Sequence, residues 1–317
     1  MAPAPSSLRR ILITGAEGFV GRALAARIRA EWPGITLTGT SRQIDGVTAC
    51  HERIVLDLAH GDITEALHAA QPDAILHLAA RSSVAQGLSA SAETFDDNVT
   101  GTLRLAKAVR QTCPGAAFLF ASSGEVYGRS FNAACPITED VAPAPQNAYA
   151  RSKLAGEFAV TDVLASTNPV IILRLFNHFG PGQDERFVIP AFASQLRRIR
   201  DEGAPTVIRV GNLDAIRDFL PIGDVLAAYG AALALAAARG PSCETFNISS
   251  GTGRSIRSVL NDMIERTAMS VTVDVDPARL RPSDIPRAIG DSTRFRAATG
   301  WQPDHIWSAA IDGMFDR

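Results

Sequence analysis

The stretch Arg10-Ile11-Leu12-Ile13-Thr14-Gly15-Ala16-Glu17-Gly18-Phe19-Val20-Gly21 decides how this chain is read. Residues 10–14 form a short apolar run, as a buried strand does, and residues 18–30 have helical spacing. A glycine triplet therefore stands between a strand and a helix. In that setting Gly15 permits a tight turn, Gly18 lets backbone N–H groups approach a pyrophosphate, and Gly21 allows close helix–strand packing. A glycine triplet alone fits a plain turn equally well. The strand before it and the helix after it make it a dinucleotide-binding turn, with Phe19 and Val20 counted among its cofactor contacts.

Outward from this turn the alternation continues. Residues 35–39, 53–56 and 74–78 read as strands, 97–111 as a helix, 116–121 as a strand, 148–164 as a helix and 170–175 as a strand. Strands alternating with helices predict an α/β, Rossmann-type doubly wound parallel sheet, with ligands at the rim formed by the strands' C-terminal ends. After Gly180 the pattern loosens. Helical patterns at 187–200 and 225–239 mix with strand-like runs at 206–210, 245–248 and 271–275. The expected division is an NADP-binding domain over 1–180, with elements from about 215–250 returning to it, and a smaller C-terminal substrate-binding lobe over 181–317.

Composition excludes several classes. With 46% hydrophobic and 20% charged residues among 317, the chain is too apolar to be disordered. A net charge of -2 offers no field for holding nucleic acid. Its longest uncharged stretch, 225–238, is Ala-rich and shorter than the roughly 20 apolar residues that a membrane span needs. The N-terminal MAPAPSSLRR lacks a signal peptide's apolar core, so a cytoplasmic protein is expected. Cys50, Cys113, Cys135 and Cys243 have no ligand-type spacing, the six histidines form no HExxH, and no metal site is expected.

The strand ends carry further signals. Gly39-Thr40-Ser41-Arg42 ends the second strand, where an NAD enzyme usually places Asp or Glu for the ribose 2′-hydroxyl. Ser41 and Arg42 stand there instead, and a guanidinium suits a 2′-phosphate, so NADP(H) is favoured over NAD; a surface arginine is the plainer alternative. Asp57-Leu58 follows the third strand, as an adenine contact or a cap. His77-Leu78-Ala79-Ala80 ends the fourth, and the small residues after Leu78 let backbone pass close to the cofactor.

Tyr149 and Lys153 lie four apart on one face of a predicted helix, and Ser122 and Ser123 end the preceding strand. Hydride transfer to a carbonyl creates an alkoxide that needs a proton. A tyrosine supplies it if an ammonium lowers its pKa, and a serine hydroxyl can hold the oxygen. An ordinary Tyr/Lys pair on an amphipathic helix has the same spacing.

Together, GxxGxxG, the serine strand end and YxxxK resemble the extended short-chain dehydrogenase/reductase family, over essentially the whole chain. Ser82-Ser83-Val84, Phe176-Asn177-His178-Phe179-Gly180-Pro181-Gly182-Gln183, Gly211-Asn212-Leu213-Asp214-Ala215-Ile216-Arg217-Asp218-Phe219 and Leu280-Arg281-Pro282-Ser283-Asp284 resemble its GDP-mannose 4,6-dehydratase and GDP-6-deoxy-4-keto-D-mannose reductase branch. The resemblance implies Tyr149 as acid/base, Lys153 on the nicotinamide ribose, and Ser122 or Ser123 on the sugar carbonyl. It places Leu175 against the cofactor and Ser83, Asn177, Val188, Arg217, Arg281 and Asp284 on the GDP-sugar, with the two arginines on its diphosphate and Asp284 on its ribose. It also implies a homodimer through a four-helix bundle built from 97–111 and 148–164.

Within this branch two activities compete. In the dehydratases a Glu after the strand-end Ser or Thr removes the C5 proton, and Ser123-Gly124-Glu125 keeps that Glu. Relatives acting as reductases can retain it too. The shorter chain and its segments near 40–42, 177–183 and 281–284 look more like the reductase. The expectation is an NADPH-dependent reductase that converts a GDP-4-keto-6-deoxy-D-mannose-type sugar to GDP-D-rhamnose. A 4,6-dehydratase that retains NADP, or another sugar-nucleotide epimerase or reductase, is the alternative. A catalytically dead NADP sensor is disfavoured, because Tyr149 and Lys153 are both present.

Overall fold

The computed structural model describes residues 5–42, 49–81, 91–133, 135–203, 205–279 and 285–316. Its centre is a seven-stranded parallel sheet. The first half supplies β1 (Arg10–Thr14), α1 (Phe19–Glu31), β2 (Thr36–Ser41), β3 (Glu52–Val55), α2 (Ile63–Ala70) and β4 (Ala74–His77). A short helix α3 (Ser91–Phe95) leads through a wider turn, Asp96–Thr100, into α4 (Gly101–Thr112). Then come β5 (Ala117–Ser123), a 3-10 segment Gly124–Asn132, α5 (Ala148–Leu164) and β6 (Pro169–Leu175).

The second half supplies β7 (Asn177–Phe179), α6 (Val188–Glu202), β8 (Val207–Val210), β9 (Ile216–Pro221), α7 (Ile222–Ala237) and β10 (Ser242–Ile248). It continues with β11 (Gly253–Ser255), α8 (Ile256–Thr267), β12 (Thr272–Val275), β13 (Arg287–Ala288), α9 (Thr293–Thr299) and α10 (Trp307–Asp312).

The strand order is β10-β6-β5-β4-β1-β2-β3. The chain moves outward from β1 to β3, then crosses to β4 and runs the other way, which opens a crevice at the ends of β1 and β4. Strands β1, β4 and β6 are buried on both faces, as their mainly apolar runs suit in a parallel sheet. One face packs against α1 and α7 through Leu24, Ile28, Val225, Tyr229 and Leu233. The other packs against α2, α4 and α5 through Leu67, Leu105, Val109, Val160 and Leu164.

The run read at 245–248 is β10, parallel to β6 and longer than expected. Just before it, β9 stays out of the main sheet. It pairs antiparallel with β11 and parallel with β7 and β13. A third apolar cluster, including Phe179, Phe192, Leu196, Phe219, Leu260 and Met263, joins α6 and α8 to these strands. The 271–275 run is an edge strand, β12, paired with β8. This smaller lobe stands over the sheet's C-terminal rim, since β7 leaves that rim directly after β6.

Candidate active site

The glycine turn is shaped by contact with the neighbouring strand end. Gly15 has φ +71, and a Cβ there would lie 2.8 Å from the Ala79 backbone N and Cα. A side chain at Gly21 would strike the Gly15 carbonyl oxygen, so α1 packs directly onto the turn. No side chain caps α1 at Gly18 and no acidic residue lies in its first turn. That leaves the positive end of the helix facing the crevice, as an anion site requires. Phe19 stacks over His178 with centroids 6.3 Å apart, tying the turn to β7, while Val20 packs on the core.

A buried chain of hydrogen bonds holds the two crevice strands together. The Thr14 hydroxyl lies 2.7 Å from His77 Nδ1, and His77 Nε2 lies 2.8 Å from the Thr102 hydroxyl. Thr102 already donates to the Asn98 carbonyl, so its oxygen accepts from His77 Nε2–H, and Thr14 donates to Nδ1. Burial, aided by the Lys153 charge, pushes His77 down to about 3, so the ring is neutral. Leu78 and Ala79 are fixed by N–H bonds to the Thr14 carbonyl and hydroxyl, and Ala80 follows half-buried.

At the end of β2, Ser41 donates to Glu17 Oε2 at 2.7 Å. The Arg42 side chain is 60% exposed and turns toward Asp97, 3.3 Å away, which also binds Arg81. Asp57 accepts from the Ala59 N–H at 2.8 Å, so one of its oxygens braces its own turn. Leu58 is buried beside Gly101.

The strand-end serines face opposite ways, as consecutive strand residues must. Ser122 donates to Glu157 Oε1 on the α5 side of β5. Glu157 in turn takes a two-pronged ion pair from Arg174, with Nη2–Oε2 at 2.7 Å and Nε–Oε1 at 3.0 Å. Arg174 also donates to the Tyr127 hydroxyl, which donates to Asn247. Ser122 is therefore committed to a buried scaffold network, and its expected place on the substrate carbonyl does not fit this geometry.

Ser123 accepts from the Glu125 N–H at 3.2 Å, and its hydroxyl stands near enough to the Tyr149 phenol to favour the phenolate. The Glu125 carboxylate accepts from Asn147 Nδ2 at 3.5 Å, and Asn147 also caps α5, which presents Tyr149 and Lys153. Lys153 is buried and donates to the Ala121 carbonyl at 2.7 Å, with its ammonium 5.1 Å from the centre of the Phe120 ring. Burial brings Lys153 down to about 8, against the support of Glu157.

The tyrosine departs from expectation in one respect. It is pushed up to about 12, by burial and then by the Glu125 charge, while Ser123 opposes the shift. The ammonium was expected to lower it, but burial is the leading influence on this phenol and the Glu125 charge adds to it. A phenol held high stays protonated at neutral pH, which is the form a proton donor needs.

Leu175 ends β6 at the same rim and is buried. In the lobe, Asn177 is exposed on β7, opposite Phe219 of β9. Val188 opens α6, half-buried against the lobe core. Arg217 Nη1 donates to the carbonyls of Ile216 and Ile285. Ser83, Arg281 and Asp284 lie outside the described residues.

The arrangement fits a dinucleotide. It offers a glycine cradle that a Cβ would fill and an uncapped helix start. It also offers a buried polar atom of the glycine turn without a partner, Glu17 Oε1.

The family model for GDP-mannose 4,6 dehydratase matches residues 12–314. The chain belongs to that family. It is an NAD(P)-binding Rossmann enzyme of the extended short-chain dehydrogenase/reductase type. It is 33% identical over 297 residues to a GDP-6-deoxy-D-mannose reductase of Pseudomonas aeruginosa, covering 93% of this chain and 92% of the relative. A solved structure of RMD from Pseudomonas aeruginosa, complexed with NADPH, superposes with a TM-score of 0.83 at 31% identity, covering 96% and 97% of the two chains. The Thermus thermophilus UDP-glucose 4-epimerase, in complex with NAD, superposes at 0.81 with 27% identity over 97% and 98%. Family membership accounts for the joint presence of the glycine turn, the serine strand end and the Tyr149/Lys153 helix in one crevice.

Sequence reading missed Glu157 and Glu17 at this site. Glu157 follows Lys153 by four, so helical spacing already placed it on the same face, but its partner Arg174 lies on another element. Glu17 gave no local signal.

Proposed function

We propose that the chain reduces the C4 keto group of a GDP-4-keto-6-deoxy-D-mannose-type nucleotide sugar with NADPH, giving GDP-D-rhamnose. The observation that carries this reading is buried Lys153 docked on the Ala121 carbonyl at 2.7 Å, which sets the Tyr149/Lys153 helix against the Ser123 end of β5 at the rim next to the glycine turn. The similarity to a GDP-6-deoxy-D-mannose reductase supports the choice of substrate. Gly15, Gly18, Phe19, Val20, Gly21, Leu78, Ala79, Ala80 and Leu175 line the cofactor's place in this account. Arg42, Asp57 and Leu58 stand at its adenosine end. Bound NADPH supplies the hydride. Ser123 holds the carbonyl oxygen, Tyr149 delivers the proton to that oxygen as charge develops on it, and the Lys153 ammonium stabilises the phenolate left behind. Asn177, Val188 and Arg217 bind the substrate from the lobe, with Ser83, Arg281 and Asp284 assigned to it by the same reading.

Lys153 gives this mechanism a pH signature. Its folded pKa is lowered to about 8, so the ammonium is present below that pH and lost as pH rises through it. The value of kcat/KM is expected to fall on the alkaline side with a midpoint near about 8. Lys153→Arg, whose guanidinium keeps its charge, should lack that limb even at a lower rate. A flat alkaline profile in the unaltered enzyme contradicts the role given to Lys153.

Glu125 favours a second reading, 4,6-dehydration, because Asn147, two residues before Tyr149, donates to its carboxylate and holds it beside that end of α5. Mass spectrometry separates the two. Incubation of the keto sugar with NADPH should add the mass of two hydrogens with stoichiometric NADPH oxidation. Loss of water from GDP-mannose without net NADPH consumption would instead assign Glu125 as the base of a dehydratase.

The dimer belongs to the same proposal. Helices α4 and α5 pack side by side, and α5 exposes 62% of Phe158 while neighbouring α3 exposes 39% of Phe95. A second copy covering these rings would complete the four-helix bundle. Light scattering at the mass of one chain, 33.6 kDa, would contradict it. Among the described residues no helix is long and apolar enough to cross a membrane. The proposed cytoplasmic location is supported by four free cysteines, Cys50, Cys113, Cys135 and Cys243.

A further inference from the structure

We infer that Glu17 sets the balance between NADPH and NADH in this chain. The inference rests on the cofactor reading above and concerns a residue of the glycine turn to which that reading gives no role.

Dinucleotide folds that prefer NAD place a carboxylate at the end of the second strand, where it accepts from the adenosine ribose 2′-hydroxyl. Here the end of β2 carries Ser41 and Arg42, and taken alone that favours a 2′-phosphate. The structure alters the balance. Glu17 reaches across from the glycine turn, and Ser41 donates to its Oε2 at 2.7 Å. A carboxylate therefore stands at the end of β2 after all, delivered from a position 24 residues earlier in the chain. Its second oxygen, Oε1, is buried and has no hydrogen-bond partner.

A buried carboxylate oxygen without a donor is costly unless a ligand supplies one. A ribose hydroxyl is such a donor, whereas a 2′-phosphate brings only negative charge and acceptors. The compensating cation, Arg42, does not pair with Glu17. Its side chain is 60% exposed and turned toward Asp97. Glu17 thus supports the ribose of NADH and opposes the 2′-phosphate of NADPH, while Arg42 can swing from Asp97 to meet that phosphate. The two residues act against one another, and the chain accepts both cofactors with a narrow preference.

The test is direct binding, independent of turnover. NADPH and NADH are titrated against the purified full chain by calorimetry, at low and at high salt. The same titrations are run on Glu17→Gln, which keeps an acceptor for Ser41 and removes the charge. The expected result is a shift of about tenfold in the Kd ratio toward NADPH, smaller at high salt, as loss of one partly screened like-charge contact implies. NADH binding by the variant reports that its site is folded. Glu17→Ser, which shortens the side chain, repeats the test and should shift the ratio in the same direction. A ratio within about twofold of the unaltered protein, or a shift toward NADH, overturns the role of Glu17 while leaving the cofactor reading intact. Failure of the unaltered chain to bind either nucleotide overturns the cofactor reading, and this inference with it.

Discussion

Tyr149→Phe is expected to lower kcat for reduction of the keto sugar by about 10²–10⁴-fold, the usual worth of a positioned proton donor. The substitution removes one oxygen from a half-buried ring and leaves α5, its Asn147 cap and Lys153 in place. Cofactor affinity should therefore stay within about threefold, since the glycine cradle and the α1 terminus carry that binding. The split matters more than the loss. A fall in kcat with unchanged NADPH binding identifies a group that acts in the transition state. Turnover within about threefold of the unaltered enzyme would remove Tyr149 from its role, because no positioned proton donor is worth so little.

The second large effect separates two neighbours. Ser123→Ala should lower kcat by about 10²–10³-fold, because the proposed mechanism sets its hydroxyl, which influences the Tyr149 phenol, against the developing oxyanion. Ser122→Ala should leave kcat nearly unchanged. Its cost falls on stability, about 1.5–3 kcal/mol, because buried Glu157 loses one donor while still holding Arg174. Thermal unfolding and steady-state kinetics on both variants make a crossed pair. If Ser122→Ala proved the catalytic loss and Ser123→Ala the stability loss, the assignment of the two strand faces would be reversed. Sequence alone left the two serines equivalent. One residue of strand register separates them, and only the position of Glu157 shows which face is the scaffold.

That contrast shows where the sequence is legible. The main sheet could be read because its central parallel strands are buried on both faces, so β1, β4 and β6 are mainly apolar runs. The glycine turn could be read because its chemistry is local, and Tyr149 and Lys153 because one helix sets their spacing. The lobe was harder. Strands β7, β11 and β13 have three, three and two residues, too few to show any period. They exist because β9 offers them an edge, which is a tertiary fact.

The site followed the same rule. Glu17 bonds Ser41, and Arg174 bonds Glu157 from a different element, so neither pairing has a sequence spacing to betray it. The tyrosine's pKa could not be anticipated either. It is set first by how deeply the fold buries the phenol, which no local spacing reports.

The central claim is that this crevice reduces a sugar ketone at C4 with a proton from Tyr149. The most direct test is to supply NADPH deuterated at the transferable nicotinamide position, together with the GDP-4-keto-6-deoxy sugar, and to examine the product by NMR. The account predicts deuterium at C4 of the hexose in every product molecule and none elsewhere, with Tyr149→Phe forming the same labelled product far more slowly. A product without deuterium at C4, or NADPH left unoxidised while the sugar changes, would contradict it.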